Sequence, residues 1–548
     1  MLWGLDNKEQ IVYDRKVSKA KISLASIFKC NLERASIVIN EQNGTPFTQL
    51  EETTIVELQA AMDDGEMTAR KLAEMYVERI HALDQQGPTL QSVLEINPDA
   101  LKIADQLDQE RRSRGPRGPL HGIPILLKDN IATKDEMQTT AGSLALVGSR
   151  PQRDAFVVER LRQAGALILG KTNLSEWANF RSTASSSGWS GRGGQGRNPY
   201  VLNRTPCGSS SGSASAIAAN LAAVSLGTET DGSILCPAAS NGVVGIKPTI
   251  GLTSRAGVIP IAHSQDTVGP FGRTVADAAA VLGALTGVDP RDPATRESEG
   301  KFHSDYTQFL DPNGLRGARI GIARQVYFGY SPKADAIANR AIEQLKELGA
   351  EVIDPADIST AKQMSLSKAE LTVLLHEFKA DLNVYLAELA STAVRSLADI
   401  IAFNKAHAEQ ELPYFGQEIL LMAQETTSLS DPAYLSALAE NYRLSRQEGI
   451  DAVMDKYTLD ALVMPSGSPP WLIDLVNGDP DTGGGSSQPA ALAGYPAITV
   501  PAGYAFELPV GITFMGRAFS EPTLIKYAYA FEQSSKARHR PRYLPTTP

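Results

Sequence analysis

The sequence predicts an α/β fold in which helices cover a β-sheet. Apolar runs of strand length alternate with amphipathic helical stretches along most of the chain. Glycine and serine concentrate between Ser182 and Gly245, interleaved with ordinary apolar periodicity, so that stretch is ordered sequence and not a flexible linker. Globally, 42% of the 548 residues are apolar and 21% charged, and no apolar run approaches the roughly 18 residues a membrane span requires. Length alone allows three or four domains at roughly 150 residues each.

In chain order, residues 1–45 read as an appendage. Lys8, Arg15, Lys16, Lys19, Lys21 and Lys29 surround the short apolar stretch Ile22 to Phe28, and no cleavage pattern of a secretory signal follows it. Thr54-Ile-Val-Glu57 has capping-box spacing and opens a helix through Leu58 and Met62; Leu72, Met75, Tyr76 and Ile80 mark a second. Ile123 to Leu127 is a strand that ends at Lys128, which places a charged group at a strand terminus. A helix over Val157, Val158 and Leu161, a strand from Ala166 to Leu169 and a short helix with Leu174 and Trp177 follow. Ala214 to Val224 is a run of small residues suited to a closely packed helix, and Val224 to Leu226 and Val243 to Ile246 are strand candidates. Val275 to Leu285 is helical, Ala318 to Ile322 a strand, Lys333 to Leu348 a helix, and Glu351 to Ile353 a strand. From about 360 to 458 the pattern is helical only, as in Leu374, Phe378, Leu382 and Leu386, which predicts an inserted helical layer. Strands resume at Ala461 to Met464, Ala497 to Val500 and Val510 to Phe514, and Glu521 to Glu532 closes as a helix. Lys536, Arg538, Arg540 and Arg542 read as a solvated end, with 541–548 as a tail.

Composition excludes several function classes. Lys and Arg number 52 against 62 Asp and Glu, a net charge of −10, which argues against a duplex nucleic-acid footprint. Three cysteines, Cys30, Cys207 and Cys236, cannot build a disulfide framework and fit a reducing, cytoplasmic compartment; Cys236 reads as a small buried hydrophobe. The seven histidines form no His-x-x-x-His pair and there is no Cys-x-x-Cys, so neither a metal nor a cofactor is expected. Gly208 to Gly212 fits Gly-x-Ser-x-Gly around Ser210, but Asn203-Arg-Thr-Pro206 is no strand to feed a nucleophile elbow. Gly191 to Gly196 lacks the strand and helix that a dinucleotide loop needs.

A lysine at a strand end, a Gly-Ser-Ser-Ser-Gly turn and a serine behind Thr230-Asp231-Gly232 remain. A neutral lysine can deprotonate a serine, and glycine-rich backbone can present N–H groups to an oxyanion, so these parts suffice for acyl transfer. Spacing leaves the alternatives open: a serine beside glycine is most often turn chemistry, more strongly so for Ser210 and Ser211, and Lys128-Asp129 also reads as an ion pair.

Three ordered motifs go further. Gly122-Ile-Pro-Ile-Leu-Leu-Lys-Asp-Asn130, Cys207-Gly-Ser-Ser-Ser-Gly-Ser-Ala214 and the stretch from Gly227-Thr-Glu-Thr-Asp-Gly-Ser233 to Lys247-Pro-Thr249 resemble the amidase signature family, over roughly residues 50 to 540. The resemblance implies a large mixed central β-sheet covered on both faces by helices, within one domain over 46–540 that contains the helical insertion. It places a Ser-cisSer-Lys triad on Ser233, Ser209 and Lys128: Ser233 as acyl-enzyme nucleophile, Ser209 as proton bridge in a non-proline cis peptide, and Lys128 as a base that starts neutral. It puts the oxyanion hole on the backbone N–H groups of Thr230, Asp231, Gly232 and Ser233, and gives the Asp231 side chain a structural role. Trp177 and Phe180 are candidates for an apolar substrate pocket, with buried packing as the competing reading.

Lys171 to Phe180, Gly227 to Ser233 and Ser396 to His407 are similar to members that remove the C-terminal amide of peptides. The expected activity is therefore release of ammonia from a peptide or small-molecule carboxamide by a monomer or homodimer. The competing expectations are a glutamine-hydrolysing component of an amidotransferase that serves an aminoacyl-tRNA partner, and an inactive member kept as a binding module.

Overall fold

In the computed structural model, which describes residues 49–390, 392–480 and 482–548, eleven strands form one mixed sheet. The strands, in chain order, are β1 (Val93–Ile96), β2 (Pro124–Lys128), β3 (Leu167–Thr172), the short pair β4 (Trp189–Ser190) and β5 (Gly194–Gln195), β6 (Val224–Glu229), β7 (Val244–Lys247), β8 (Thr267–Gly272), β9 (Arg319–Ile322), β10 (Glu351–Ile353), β11 (Ala461–Pro465), β12 (Ala497–Ala505) and β13 (Leu508–Met515). The order across the sheet is β1-β3-β2-β6-β8-β7-β12-β13-β11-β9-β10; β4 and β5 pair separately. β2 runs parallel to β3 and to β6, and all three are buried at every position, including the polar residues at their ends, Lys128, Lys171 and Glu229.

Helices cover both faces, as strand alternation in β11 demonstrates. Ala461 and Val463 join one buried cluster with Leu524, Ile525 and Phe531 of the helix Glu521–Ser535, while Leu462 and Met464 join another with Val453 and Met454 of the helix Asp451–Tyr457. The capping box at Thr54 is formed, with Thr54 Oγ1 accepting from the Glu57 N–H and Glu57 accepting from the Thr54 N–H. Among the described residues, 361–457 contain helices and no strand.

Two expectations require correction. The short helix through Trp177 is broken, because Trp177, Ala178 and Asn179 hold φ of 52°, 53° and 69°, a left-handed conformation that helical side chains avoid. Several elements escape the pattern, among them β8, a central strand whose Pro270 and three-residue spacing of glycines disguise it, and the polar helix Ala100–Arg114. Of the charged end, Lys536, Arg540 and Arg542 are exposed as expected, but Arg538 is not. Arg538 makes a two-pronged pair with Glu52 at 2.8 Å on each oxygen and donates to the carbonyls of Gly242 and Ala218, and Leu544 bridges to Val201. The appendage 1–45, with Cys30, lies outside the described residues.

Candidate active site

Because β2 and β6 are parallel neighbours, Lys128 at the end of one lies beside Thr228 at the end of the other, and the chain leaving β6 passes directly into Thr230-Asp231-Gly232-Ser233. The helix Ser211–Ala218 packs on β6, so the turn ahead of it brings Ser209 to the same spot. Gly212 is required for that approach: a Cβ there would stand 2.3 Å from the Ser92 carbonyl oxygen and 2.6 Å from that of Asn173. The Gly208–Ser209 peptide is cis.

Lys128 is fully buried. Its Nζ donates to Ser209 Oγ at 2.7 Å, to Thr228 Oγ1 at 2.8 Å and to the Thr228 carbonyl at 3.2 Å. Burial drives its pKa down to about 7, against the opposing pull of the Asp266 and Glu229 carboxylates. Leu126 and Leu127, both fully buried, provide the apolar surroundings. Asn130 Nδ2 also donates to Thr228 Oγ1, which fixes that hydroxyl.

The turn that bears Ser233 is held from both sides. Glu229 Oε2 accepts the N–H groups of Ile234 and Leu235 at 2.7 and 2.9 Å, and Asp266 Oδ1 accepts from Thr230 Oγ1 at 2.6 Å while its other oxygen accepts from Ile261 and Ala262. Gly232 has φ 79°, which lets the chain reverse without side-chain strain. The N–H groups of Asp231, Gly232 and Ser233 have no acceptor among the described residues, and Ser233 is 7% exposed. The Asp231 carboxyl lies against Ser487 and Glu370; burial, and then the Glu370 charge, raise its pKa well above the carboxylate range. Glu370 in turn accepts from Gln265 and Gln488.

Ser210 and Ser211 serve the turn. Ser210 Oγ donates to the Thr228 carbonyl and Ser211 Oγ to the Cys207 carbonyl at 2.6 Å. Trp177 and Phe180 sit in a buried apolar cluster under the helical layer, with Phe180 edge-on to Phe378 at 5.1 Å. Asp129 is fully buried; it pairs with Arg192 at 3.2 Å and accepts from the Thr140 hydroxyl and the Gly142 N–H of the following turn.

The cysteine reading is overturned. Cys207 and Cys236 form a disulfide, so Cys236 is a bridged, half-buried residue, and the cysteine count no longer speaks for a reducing compartment. A count of three excludes a framework but not one bridge between residues that the fold brings together. Among the described residues one group of metal-ligand type occurs, His263 with Glu377 and Asp381. The ring offers Nδ1 to Asp381 at 2.8 Å and Nε2 to Glu377 at 3.4 Å, one nitrogen to each carboxylate, as an ion-paired imidazolium does.

Sequence reasoning missed Thr228, Glu229 and Asp266. The first two stand inside the quoted motif, where an acid one residue before the turn was the available signal; Asp266 lies in a stretch without motif character.

A glycine-bearing oxyanion-type turn beside a buried lysine and serine defines a hydrolase of the acyl-transfer class. The chain belongs to the amidase family, whose sequence model, Amidase, matches residues 71–525. It is 46% identical to a "probable amidase" of Arabidopsis thaliana over 90% of this chain and 92% of that one. It is 35% identical to a glutamyl-tRNA(Gln) amidotransferase component of Chloroflexus aurantiacus, over 90% and 99%. Among solved structures, the peptide amidase bound to the competitive inhibitor chymostatin superposes with a TM-score of 0.87 at 54% identity, covering 91% of this chain and all of that one. Native peptide amidase from Stenotrophomonas maltophilia gives 0.86 at 53%, over 91% and 99%. The protein is thus an amide hydrolase with the amidase signature fold. Among the described residues no helix is long and apolar enough to cross a membrane.

Proposed function

We propose that the protein hydrolyses the C-terminal carboxamide of peptides, with Ser233 as nucleophile, Ser209 as proton bridge and Lys128 as base. The observation that carries the reading is the 2.7 Å contact between Lys128 Nζ and Ser209 Oγ in a fully buried setting that leaves the amine half-neutral near pH 7. The peptide part rests on the 54% identity to peptide amidase across 91% of the chain.

Ser233 Oγ attacks the amide carbon while its proton passes to Ser209 Oγ, whose own proton passes to neutral Lys128 Nζ. The carbonyl oxygen, now negative, meets the free N–H groups of the turn at 230–233. The same relay returns a proton to the amide nitrogen, the C–N bond breaks and ammonia leaves. Water then attacks the Ser233 ester, giving up its proton along the same path, and the peptide departs as a carboxylate.

Ser233→Ala should reduce ammonia release from an N-acetylated dipeptide amide by at least about 10⁴-fold with unchanged circular dichroism. A wild-type rate in that variant would remove Ser233 from the mechanism. Ammonia release from a panel of peptide, aryl and aliphatic amides tests the substrate: equal rates on all would refute peptide selectivity. Glutaminase activity that appears only with added partner chains would favour the amidotransferase role, toward which the 35% identity to the Chloroflexus protein points.

A further inference from the structure

Cys207 precedes Ser209 by two residues and Cys236 follows Ser233 by three, so the disulfide brackets both serines. We propose that this bridge is a positioning clamp that sets one serine against the other, and that its reduction lowers turnover. The inference rests on the roles assigned above to Ser209 and Ser233.

The backbone link between the two segments is weak: the Ser210 N–H donates to the Ser233 carbonyl at 3.3 Å. The covalent link lies on the outer side of both serines, with 6.0 Å between the two Cα atoms. Cys207 itself has φ 56°, a left-handed conformation that a residue with a side chain keeps only where its surroundings enforce it. Its N–H is held by Thr205 Oγ1 and its carbonyl by Ser211 Oγ, while its side chain is anchored through Cys236. With the anchor released, Cys207 can relax toward negative φ, and that rotation is passed to the next two residues, Gly208 and Ser209. At the other end Cys236 stands in the first turn of the helix Leu235–Ser240, where its N–H caps the Gly232 carbonyl at 2.9 Å, so the bridge grips the turn of Ser233 as well.

The bond is open to exchange. Cys207 is 5% exposed but Cys236 is only half-buried. A thiolate of a dithiol reductant attacks the Cys236 sulfur and Cys207 leaves as thiolate and takes up a proton. The second thiol of the reductant then displaces Cys236, so that two electrons pass to the bridge and the reductant departs as its own disulfide.

The test reduces the folded, oxidised enzyme with dithiothreitol below its thermal midpoint. Alkylation and peptide mass then verify two thiols at Cys207 and Cys236. On a peptide amide, kcat should fall about 10- to 100-fold, with KM within about twofold, and should return on reoxidation, because misplaced reacting groups are felt in turnover more than in binding. The double variant Cys207→Ala/Cys236→Ala should show the low kcat and no response to the reductant. An unchanged kcat in fully reduced enzyme overturns the proposal, and so does loss of circular dichroism together with activity, which would make the bridge a support of the whole chain. The two readings fail separately: a fully active Ser233→Ala enzyme refutes the serine assignment whatever the bridge does.

Discussion

Lys128 carries the clearest pH signature. Below about pH 7 its amine is protonated and cannot accept a proton through Ser209. Activity, as kcat/KM, should therefore rise about tenfold per pH unit up to that point and level above it; a profile flat from pH 5 to 8 would exclude lysine as the base. The same shift has a consequence for stability. Unfolded, the lysine keeps its proton up to about pH 10.5, whereas folded it loses it near 7, so folding releases a proton in this window and stability from this group rises with pH across it. Lys128, Ser209 and Ser233 became candidates through the resemblance of three ordered motifs to the amidase signature family; strand-end placement and glycine-flanked serines alone left turn chemistry and an ion pair as alternatives. Thr228 was not, because its two contacts with Lys128 exist only once β2 and β6 are side by side, and no linear pattern records that neighbour.

At the scale of elements, the turn after β6 depends on Glu229. Glu229→Ala should lower kcat about 10²-fold by freeing the Ile234 and Leu235 N–H groups and loosening the oxyanion turn. Glu229→Gln keeps an acceptor and should retain more activity, yet it removes an anion that favours charged Lys128, so the pH limb should move to lower pH. Steady-state profiles of the two variants check both statements; a limb that stays fixed in the Gln variant would mean the carboxylate does not act on Lys128. Strands and helices with strong periodicity were readable along most of the chain. β8 was not: Thr267-Val-Gly-Pro-Phe-Gly272 has poor strand propensity and holds its central place because β6 and β7 flank it, with Pro270 opposite Leu226. The cysteine bridge was hidden for the same reason, since pairing across 29 residues is a property of the fold and not of spacing.

For the whole molecule, the C-terminal end is a fastener. Arg538→Ala should cost about 3 kcal/mol, because it leaves Glu52 without its charged partner and the carbonyls of Gly242 and Ala218 without the guanidinium donor. Arg538→Lys should recover only part of this, since a single ammonium cannot span both Glu52 oxygens. Urea denaturation of the two variants measures the difference; equal stability to the parent would show the pair to be without weight. A run of basic residues before a chain end gave no sign of this in sequence, because burial of an arginine needs a partner that comes from the other end of the chain.

That partnership fixes when the protein can be finished. Glu52 and Arg538 are 486 positions apart. At about 5–20 residues per second, roughly 25–100 s of ribosomal synthesis separate the two. Through that interval Glu52 waits without its guanidinium, and the Ala218 carbonyl, 320 positions ahead of Arg538, waits through the later part of it. A nascent chain then holds all of its proposed catalytic residues well before it is closed, and a ribosome stalled in the last helix would hold every residue of the candidate site in a molecule not yet locked.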